Sequence, residues 1–351
     1  MSLKKVLSLV GFLLLAAIVL TACAGQPGPE GPAGPAGPAG PAGPAGESAV
    51  ATDLSCTECH NDTSIITSKR ANWEESLHGK GTAFAEEGDR NTCAFCHSGD
   101  VFSASIAAGL NFSQVEEGTA NPTHQDCRTC HQIHVTYTGA DWALETDAAV
   151  TTVTSGATFD GGAGNLCANC HQARRYLAAF ASKDSAGVVI PDKFTPTARF
   201  NTHYSVQVDT LMGVVDVNAP LGVDGKAGAH YAMVEDTCVG CHMGDGRNHR
   251  MAPQLSTCVA CHADATDYNV NGAVTAFEEK VAALKAELVA KGLMNEDGTN
   301  VLKNGDAPVQ LDPPQAAALF TYHLIEEDGS EGVHNPNYFN ALVDAALEAL
   351  K

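Results

Sequence analysis

Apolar residues recur at helical spacing towards the carboxyl end of this chain. Phe277, Val281, Leu284 and Leu288 are three or four residues apart with Glu and Lys between them, and Gly292 follows as a stop signal. This spacing predicts an amphipathic helix whose apolar stripe is a packing face.

Two further helices are predicted downstream. Pro313 and Pro314 can begin a helix that runs to about His323, because proline is tolerated in the first helical turn. Asn335 followed by Pro336 can cap another. The apolar face of that last helix would carry Leu342, Ala346 and Leu350.

Residues 172–237 show a different pattern. β-Branched runs at 204–208 and 214–217 stand among Gly and Pro residues, which predicts a short β-hairpin near 200–220. Taken together, the patterns predict a mostly α protein with much irregular backbone and C-terminal helices.

The amino-terminal pattern is typical of an export signal. Lys4 and Lys5 precede an apolar run at 6–20, which at about 15 residues is short for a membrane-spanning helix, the alternative interpretation. The run ends in Leu-Thr-Ala-Cys, which resembles the lipobox of bacterial lipoproteins and predicts a signal peptide at 1–22 with Cys23 lipidated. A free thiol or an intermolecular disulfide at Cys23 is the alternative.

A Gly-x-y repeat follows, with glycine at every third position from Gly25 to Gly46 and Pro-Ala filling most triplets. The period is that of collagen, but so few triplets make a weak triple helix, and a semi-rigid polyproline II spacer is favoured. The predicted organisation is therefore a signal at 1–22, a lipidated, collagen-like stalk at 23–47 and one domain at 48–351.

The chain is strongly acidic. It has 41 Asp and Glu against 20 Lys and Arg, a formal net charge of −21. This charge excludes nucleic acid as a natural partner and favours metal ions, cationic substrates or basic protein patches, although it is also compatible with an ordinary solvated surface.

Twelve of the 13 cysteines stand in six Cys-x-x-Cys-His pentapeptides. A random arrangement of the same residues would contain about 0.02 such pentapeptides. Two such thiols can form thioethers to the vinyl groups of one porphyrin, and the adjacent histidine then binds the iron. Disulfides or zinc are the alternatives, but neither requires a histidine at this position. The predicted haem-attaching residues are Cys56, Cys59, Cys93, Cys96, Cys127, Cys130, Cys167, Cys170, Cys238, Cys241, Cys258 and Cys261. The predicted proximal ligands are His60, His97, His131, His171, His242 and His262.

Six covalently bound haems c would supply much of the apolar surface that the domain at 48–351 wraps. We therefore expect a haem-centred fold without a large core of side chains.

The sixth ligand of each iron decides between electron transfer and catalysis. His134 follows His131 by three residues, an arrangement that can send two imidazoles towards neighbouring haems, whereas His323 falls in a predicted helix. The candidates outside the motifs are His78, His134, His203, His230, His249 and His334, with His124 and His323 less favoured. Methionine is the alternative ligand, and the mature chain contains Met212, Met233, Met243, Met251 and Met294.

Three segments resemble those of multihaem cytochromes c: residues 332–338 (Gly-Val-His-Asn-Pro-Asn-Tyr), 203–209 (His-Tyr-x-x-Gln-x-Asp) and 165–172 (Asn-Leu-Cys-x-Asn-Cys-His-Gln). The chain is most similar to the hexahaem outer-surface, nanowire-type cytochromes of metal-reducing bacteria, and more distantly to the cytochrome c nitrite reductase and hydroxylamine oxidoreductase group. The resemblance implies that the six favoured histidines are distal ligands and that stacked haems form one continuous path.

The expected function is electron transfer through mainly bis-histidine haems by a surface-tethered or filament-forming extracellular conduit. The alternative is a reductase of a small nitrogen or sulfur oxo-compound with one five-coordinate haem, although no motif has the lysine that commonly marks such a haem in nitrite reductases. Expected partners are redox proteins, metal ions or minerals, the membrane through the lipid, and other copies of the chain in a homopolymer. The residues after Cys23 favour the outer membrane or cell surface.

Overall fold

The computed structural model describes residues 64–244 and 246–351. The predicted signal peptide, the lipidated Cys23, the collagen-like stalk and the first motif, with Cys56, Cys59 and His60, lie outside the described residues. By backbone contacts the chain divides into Met1–Ala49 and Val50–Lys351, and every described residue belongs to the second unit.

The described part is mostly helical with much irregular backbone, as predicted. The α-helices are α1 (Ser64–Glu75), α2 (Leu77–Lys80), α3 (Ala83–Glu87), α4 (Asn91–His97), α5 (Gly99–Ala107), α6 (Cys127–Cys130), α7 (Asn165–Ala168), α8 (Gln207–Met212), α9 (Asn218–Leu221), α10 (Ala229–Met233), α11 (Cys238–His242), α12 (Leu255–Val259), α13 (Ala273–Ala290), α14 (Pro313–Asp328) and α15 (Pro336–Ala349). Three antiparallel hairpins pair β1 (Val150–Thr151) with β2 (Thr158–Phe159), β3 (Ala181–Lys183) with β4 (Val189–Phe194), and β5 (Lys303–Asn304) with β6 (Ala307–Pro308). Short 3-10 turns connect several of these elements.

The three predicted C-terminal helices are confirmed. Helix α13 buries Phe277, Leu284 and Leu288, and the chain leaves it through Gly292 at φ 69°. Helix α14 begins at Pro313 as predicted but continues to Asp328, because Leu324 and Ile325 extend its buried face. The Asn335 side chain caps α15 by accepting a hydrogen bond from the Tyr338 N–H.

The side-chain core is larger than expected. One cluster of buried residues joins α13, α14 and α15 to the segment around 173–223, with Phe200, Phe320 and Phe339 fully buried at its centre. These segments carry no motif, so their helices bury ordinary apolar faces against one another. Within residues 64–244 and 246–351, the motif-bearing segments contribute to two smaller clusters, around Phe159 and Phe95.

The hairpin predicted near 200–220 is corrected. A hairpin does form within 172–237, but its strands are β3 and β4, and residues Gln207–Met212 form helix α8. The β-branched Val206, Val208, Val215 and Val217 are buried in the side-chain clusters and have no partner strand. Their burial outweighs their strand propensity, which is a weak and context-dependent preference.

No helix within residues 64–244 and 246–351 has the length and apolar character needed to span a membrane.

Candidate metal centres

Five of the six motifs lie in the described residues, each on a short helical turn. The turn places the first cysteine and the histidine four residues apart on one face, so both thiols and the imidazole can meet one porphyrin. The histidine N–H groups close these turns onto the first cysteine carbonyl, as in His131 to Cys127 (2.9 Å), His171 to Cys167 (2.9 Å) and His262 to Cys258 (2.8 Å). All ten motif cysteines here are free thiols rather than disulfides.

Each of the five motif histidines faces one histidine from outside the motifs. The separations between ring centroids fall in the narrow range from 6.2 to 6.4 Å. The pairs are His97 with His203, His131 with His249, His171 with His78, His242 with His334 and His262 with His230.

This separation matches two imidazoles bound to opposite sides of one metal ion. With a metal–nitrogen distance of about 2.0–2.1 Å and about 1.2 Å from that nitrogen to the ring centre, the expected centroid separation is about 6.4 Å. Rings in direct van der Waals contact would be closer, and unrelated rings would not repeat one value five times. The five pairs therefore fit an iron with two axial histidines.

The Nδ1 atoms of these rings are held by the protein. His131, His230, His242 and His249 have Nδ1 at 2.6–3.1 Å from backbone carbonyl oxygens, which only accept hydrogen bonds. Nδ1 therefore carries the proton and Nε2 has the free lone pair that a metal ligand needs. His171 makes the equivalent contact with the Gln207 amide oxygen at 3.2 Å.

Burial keeps several of these histidines neutral. It lowers the pKa of His78 to about 4, assisted by the neighbouring His171. Burial, and then the positive charge of Arg174, lowers the pKa of His203 to about 4. A neutral imidazole is the form that binds a metal, so these environments favour ligation over protonation.

His334 has a different partner. Its Nδ1 lies 2.9 Å from Oδ1 and 3.0 Å from Oδ2 of Asp328, whose side chain is only 1% exposed. Burial opposes ionisation of Asp328, but the hydrogen bonds that it accepts from His334, Ser330 and Thr210 lower the pKa of this carboxyl below its usual value. No feature of the sequence singled out Asp328.

Large apolar side chains are exposed beside the paired histidines. Leu77, next to His78, is 87% exposed, and Tyr204, next to His203, is 74% exposed. Val333 beside His334 and Val259 within the sixth motif are also exposed. A porphyrin face bound at these histidines would cover this exposed apolar surface.

Neighbouring motifs are in contact. The Cys96 side chain of the second motif lies beside Cys170 of the fourth, and Cys167 of the fourth lies beside Cys238 of the fifth. Gly164 permits the second approach, since a Cβ there would lie 2.2 Å from Thr237 Oγ1 and 3.2 Å from the Cys238 nitrogen. The attachment points are thus contiguous in space.

The three other non-motif histidines occupy distinct environments. His124 packs its ring against Phe84 at 3.8 Å, with Nδ1 3.2 Å from the His78 carbonyl. His323 is in α14, where its Nε2 lies 2.8 Å from Asn300 Oδ1. His134 stacks on Tyr137 at 5.3 Å and has a φ of 67°, an unusual backbone state that is concentrated at functional sites.

Methionine does not replace histidine at the five described motifs, each of which faces an imidazole. Met212 and Met294 are buried in side-chain clusters. Met251 supports two histidines instead, because its carbonyl lies 3.1 Å from His242 Nδ1 and its sulfur lies 2.7 Å from His78 Nδ1.

No protein-family model and no curated protein matches the chain. Among solved structures, it is similar to the crystal structure of the outer cell wall cytochrome OcwA, with 19% sequence identity and a TM-score of 0.49. The match covers 81% of this chain and 50% of that protein, so the chain spans about half the length of OcwA.

Proposed function

We propose that this chain is a multihaem c-type cytochrome that transfers electrons through six bis-histidine haems. The observation that carries the proposal is the pairing of every described motif histidine with a second histidine at 6.2–6.4 Å. A chain built to bind a substrate at an iron would leave an axial position open, whereas filled positions suit electron transfer.

Bound haem would supply a one-electron ferric/ferrous couple. The chain would hold each iron on two imidazoles, exclude a substrate from it and place neighbouring sites in contact. One electron enters from a reduced redox protein and one leaves to a redox protein, a metal ion or a mineral. No covalent bond forms or breaks, so the transfer is balanced without another reactant.

For the first motif, whose His60 lies outside the described residues, we assign His134 as the distal ligand. His134 follows His131 by three residues, an arrangement that can send two imidazoles towards neighbouring haems. The reductase alternative requires an iron with one unfilled axial position. Since the five described motifs each face a second histidine, that iron would have to be at the first motif.

The decisive experiment is haem stoichiometry and spin state of the chain produced in a host that attaches haem c. We expect six haems per chain, all low-spin in the oxidised protein, because each iron has two imidazole ligands. A high-spin component in the purified monomer would support the reductase, and absence of covalent haem would overturn both interpretations.

A matched pair of variants tests attachment. Replacing Cys258 and Cys261 together with alanine should reduce the count from six to five, since the sixth motif would lose both thioethers. Replacing Cys23 with alanine should leave six haems and release the protein from the membrane fraction, because we propose that Cys23 holds the lipid. An unchanged membrane fraction would contradict the proposed anchor.

The anchor and the stalk suit a carrier tethered to the outer membrane or cell surface. The five described sites each obtain both histidines from one chain, so none of them requires a second copy. This favours the tethered carrier over a homopolymer in which copies share ligands.

A further inference from the structure

The His242–His334 centre differs from the other described centres in one hydrogen bond. Its His334 Nδ1 contacts both oxygens of the Asp328 carboxylate, whereas the assigned Nδ1 partners of the other paired histidines are backbone carbonyls, an amide or a thioether. A carboxylate accepts the Nδ1 proton much more strongly than these neutral groups do.

The Asp328 carboxylate is built into its position. Thr210 Oγ1 donates to Oδ2 at 2.6 Å and the Ser330 N–H donates to Oδ1 at 3.2 Å. Asp328 is the last residue of α14, where the helix dipole disfavours an anion. The hydrogen bonds that Thr210, Ser330 and the His334 imidazole donate to the carboxylate compensate for the burial of an anion at this unfavourable position.

We propose that Asp328 gives the His242–His334 iron the lowest reduction potential among the five described centres. Strong hydrogen bonding to a carboxylate gives the imidazole partial imidazolate character and raises its basicity towards the metal. A more basic ligand and a buried negative charge both stabilise ferric over ferrous iron, which lowers the reduction potential. Asp328 acts through His334 and is a positioning residue. The inference rests on the proposed function, because it requires haem at this centre.

The position of the His242–His334 centre also predicts the direction of electron transfer between motifs. Its motif contacts the fourth motif through Cys238 and Cys167, and the fourth contacts the second through Cys170 and Cys96. At the second motif the Arg174 guanidinium lies 3.9 Å from Cys93 Sγ, and a cation stabilises ferrous iron. Electrons are therefore favoured to move from the fifth motif through the fourth to the second.

The test is a redox titration of the holoprotein, wild type against Asp328→Asn, which removes the charge and keeps the shape. We expect the reduction potential of one of the six haems to rise by at least about 59 mV. For a one-electron couple, this is a tenfold change in the ferrous-to-ferric ratio at a fixed potential. Haem count and low-spin spectra should not change. Asp328→Glu, which keeps the charge, should show a smaller shift.

The matched control is Asp216→Asn, a partly buried carboxylate that accepts from the Leu177 and Ala178 N–H groups and contacts none of the paired histidines. This variant should leave the reduction potentials of all six haems unchanged. The inference would be wrong if Asp328→Asn titrated like the wild type, or if Asp328→Asn and Asp216→Asn shifted the potentials equally. Either result would leave the count of six haems, and with it the proposed function, unaffected.

The wild-type protein provides an independent measurement. The His242 and His334 rings are 39° apart, and axial rings close to parallel give ferric iron a rhombic low-spin EPR signal. As the protein is poised at successively lower potentials, a rhombic signal should be the last to disappear. Early loss of every rhombic signal would contradict the proposal even if the Asp328 variants did not fold.

Discussion

At the scale of single residues, the paired imidazoles divide their two nitrogens between the protein and the site. Carbonyl oxygens of Trp142, Val333, Met251 and Arg247 accept the Nδ1 proton, which leaves the Nε2 lone pair free. Tautomer and ring orientation are therefore set before any metal binds, as is usual for metal-ligating histidines.

Replacing His334 with alanine tests one ligand directly. We expect about one sixth of the haem to become high-spin in the oxidised protein, without loss of covalent haem, because the iron would keep His242 and both thioethers. The control is His323→Gln, which can keep a bond to Asn300 and should leave all haems low-spin. Unchanged spectra for His334→Ala would remove His334 from the ligands.

At the scale of elements, the motif turns approach closely because small residues separate them. Helix α7 meets the segment before α11 at Gly164, where a Cβ would overlap Thr237 Oγ1 and crowd the Asp236 carbonyl at 3.0 Å. Thr237 cannot move away freely, since its Oγ1 donates to the Gly161 carbonyl at 3.0 Å.

Gly164→Ala should therefore separate the fourth and fifth motifs. We expect a loss of about 1–3 kcal/mol in the free energy of unfolding, measured by denaturant titration, because overpacking strains both segments. Gly246→Ala is the control, since a Cβ there meets nothing within 4 Å, and it should change stability by less than about 0.5 kcal/mol. Similar losses in both variants would contradict this account of the contact.

At the scale of the whole molecule, the five described centres fall into two geometric groups. Two pairs have rings 31° and 39° apart, and three have rings 63°, 69° and 81° apart. Near-parallel rings separate the energies of two iron d orbitals, whereas near-perpendicular rings leave them almost equal.

Low-temperature EPR of the oxidised protein should show both groups. With haem iron bound between the rings, we expect two of the five described histidine pairs to give rhombic low-spin signals and three to give strongly anisotropic signals with a single low-field feature. A spectrum with one class of signal alone, at full haem occupancy, would contradict the two groups of ring orientations.

The charge of the whole chain predicts its choice of acceptors. At −21, it should reduce a cationic metal complex about tenfold or more faster than an anionic complex of matched potential at low ionic strength. The difference should shrink as salt rises, because the Debye length falls from about 30 Å at 0.01 M to about 3 Å at 1 M. Stopped-flow rates that do not depend on salt would contradict electrostatic steering.

The sequence by itself determined what depends on neighbours along the chain. Cysteine and histidine in one helical turn form a local pattern, so the sequence alone predicts the six motifs as attachment sites with their proximal histidines. The three C-terminal helices were predicted for the same reason. The spacing of apolar residues, proline in the first turn and an asparagine cap are all signals that span only a few residues. The hairpin was misplaced because burial of Val206 and Val208 is not a local property.

Only the tertiary structure decided which histidine meets which motif. His78 is closer in sequence to the motifs of His97 and His131 but faces His171, and His334 returns from the C-terminal helices to face His242. These pairings, like the contact of Asp328 with His334, join distant segments whose approach is set by helix packing and by the space between motifs. Composition fixes how many histidines are available, but packing selects which motif histidine each of them faces.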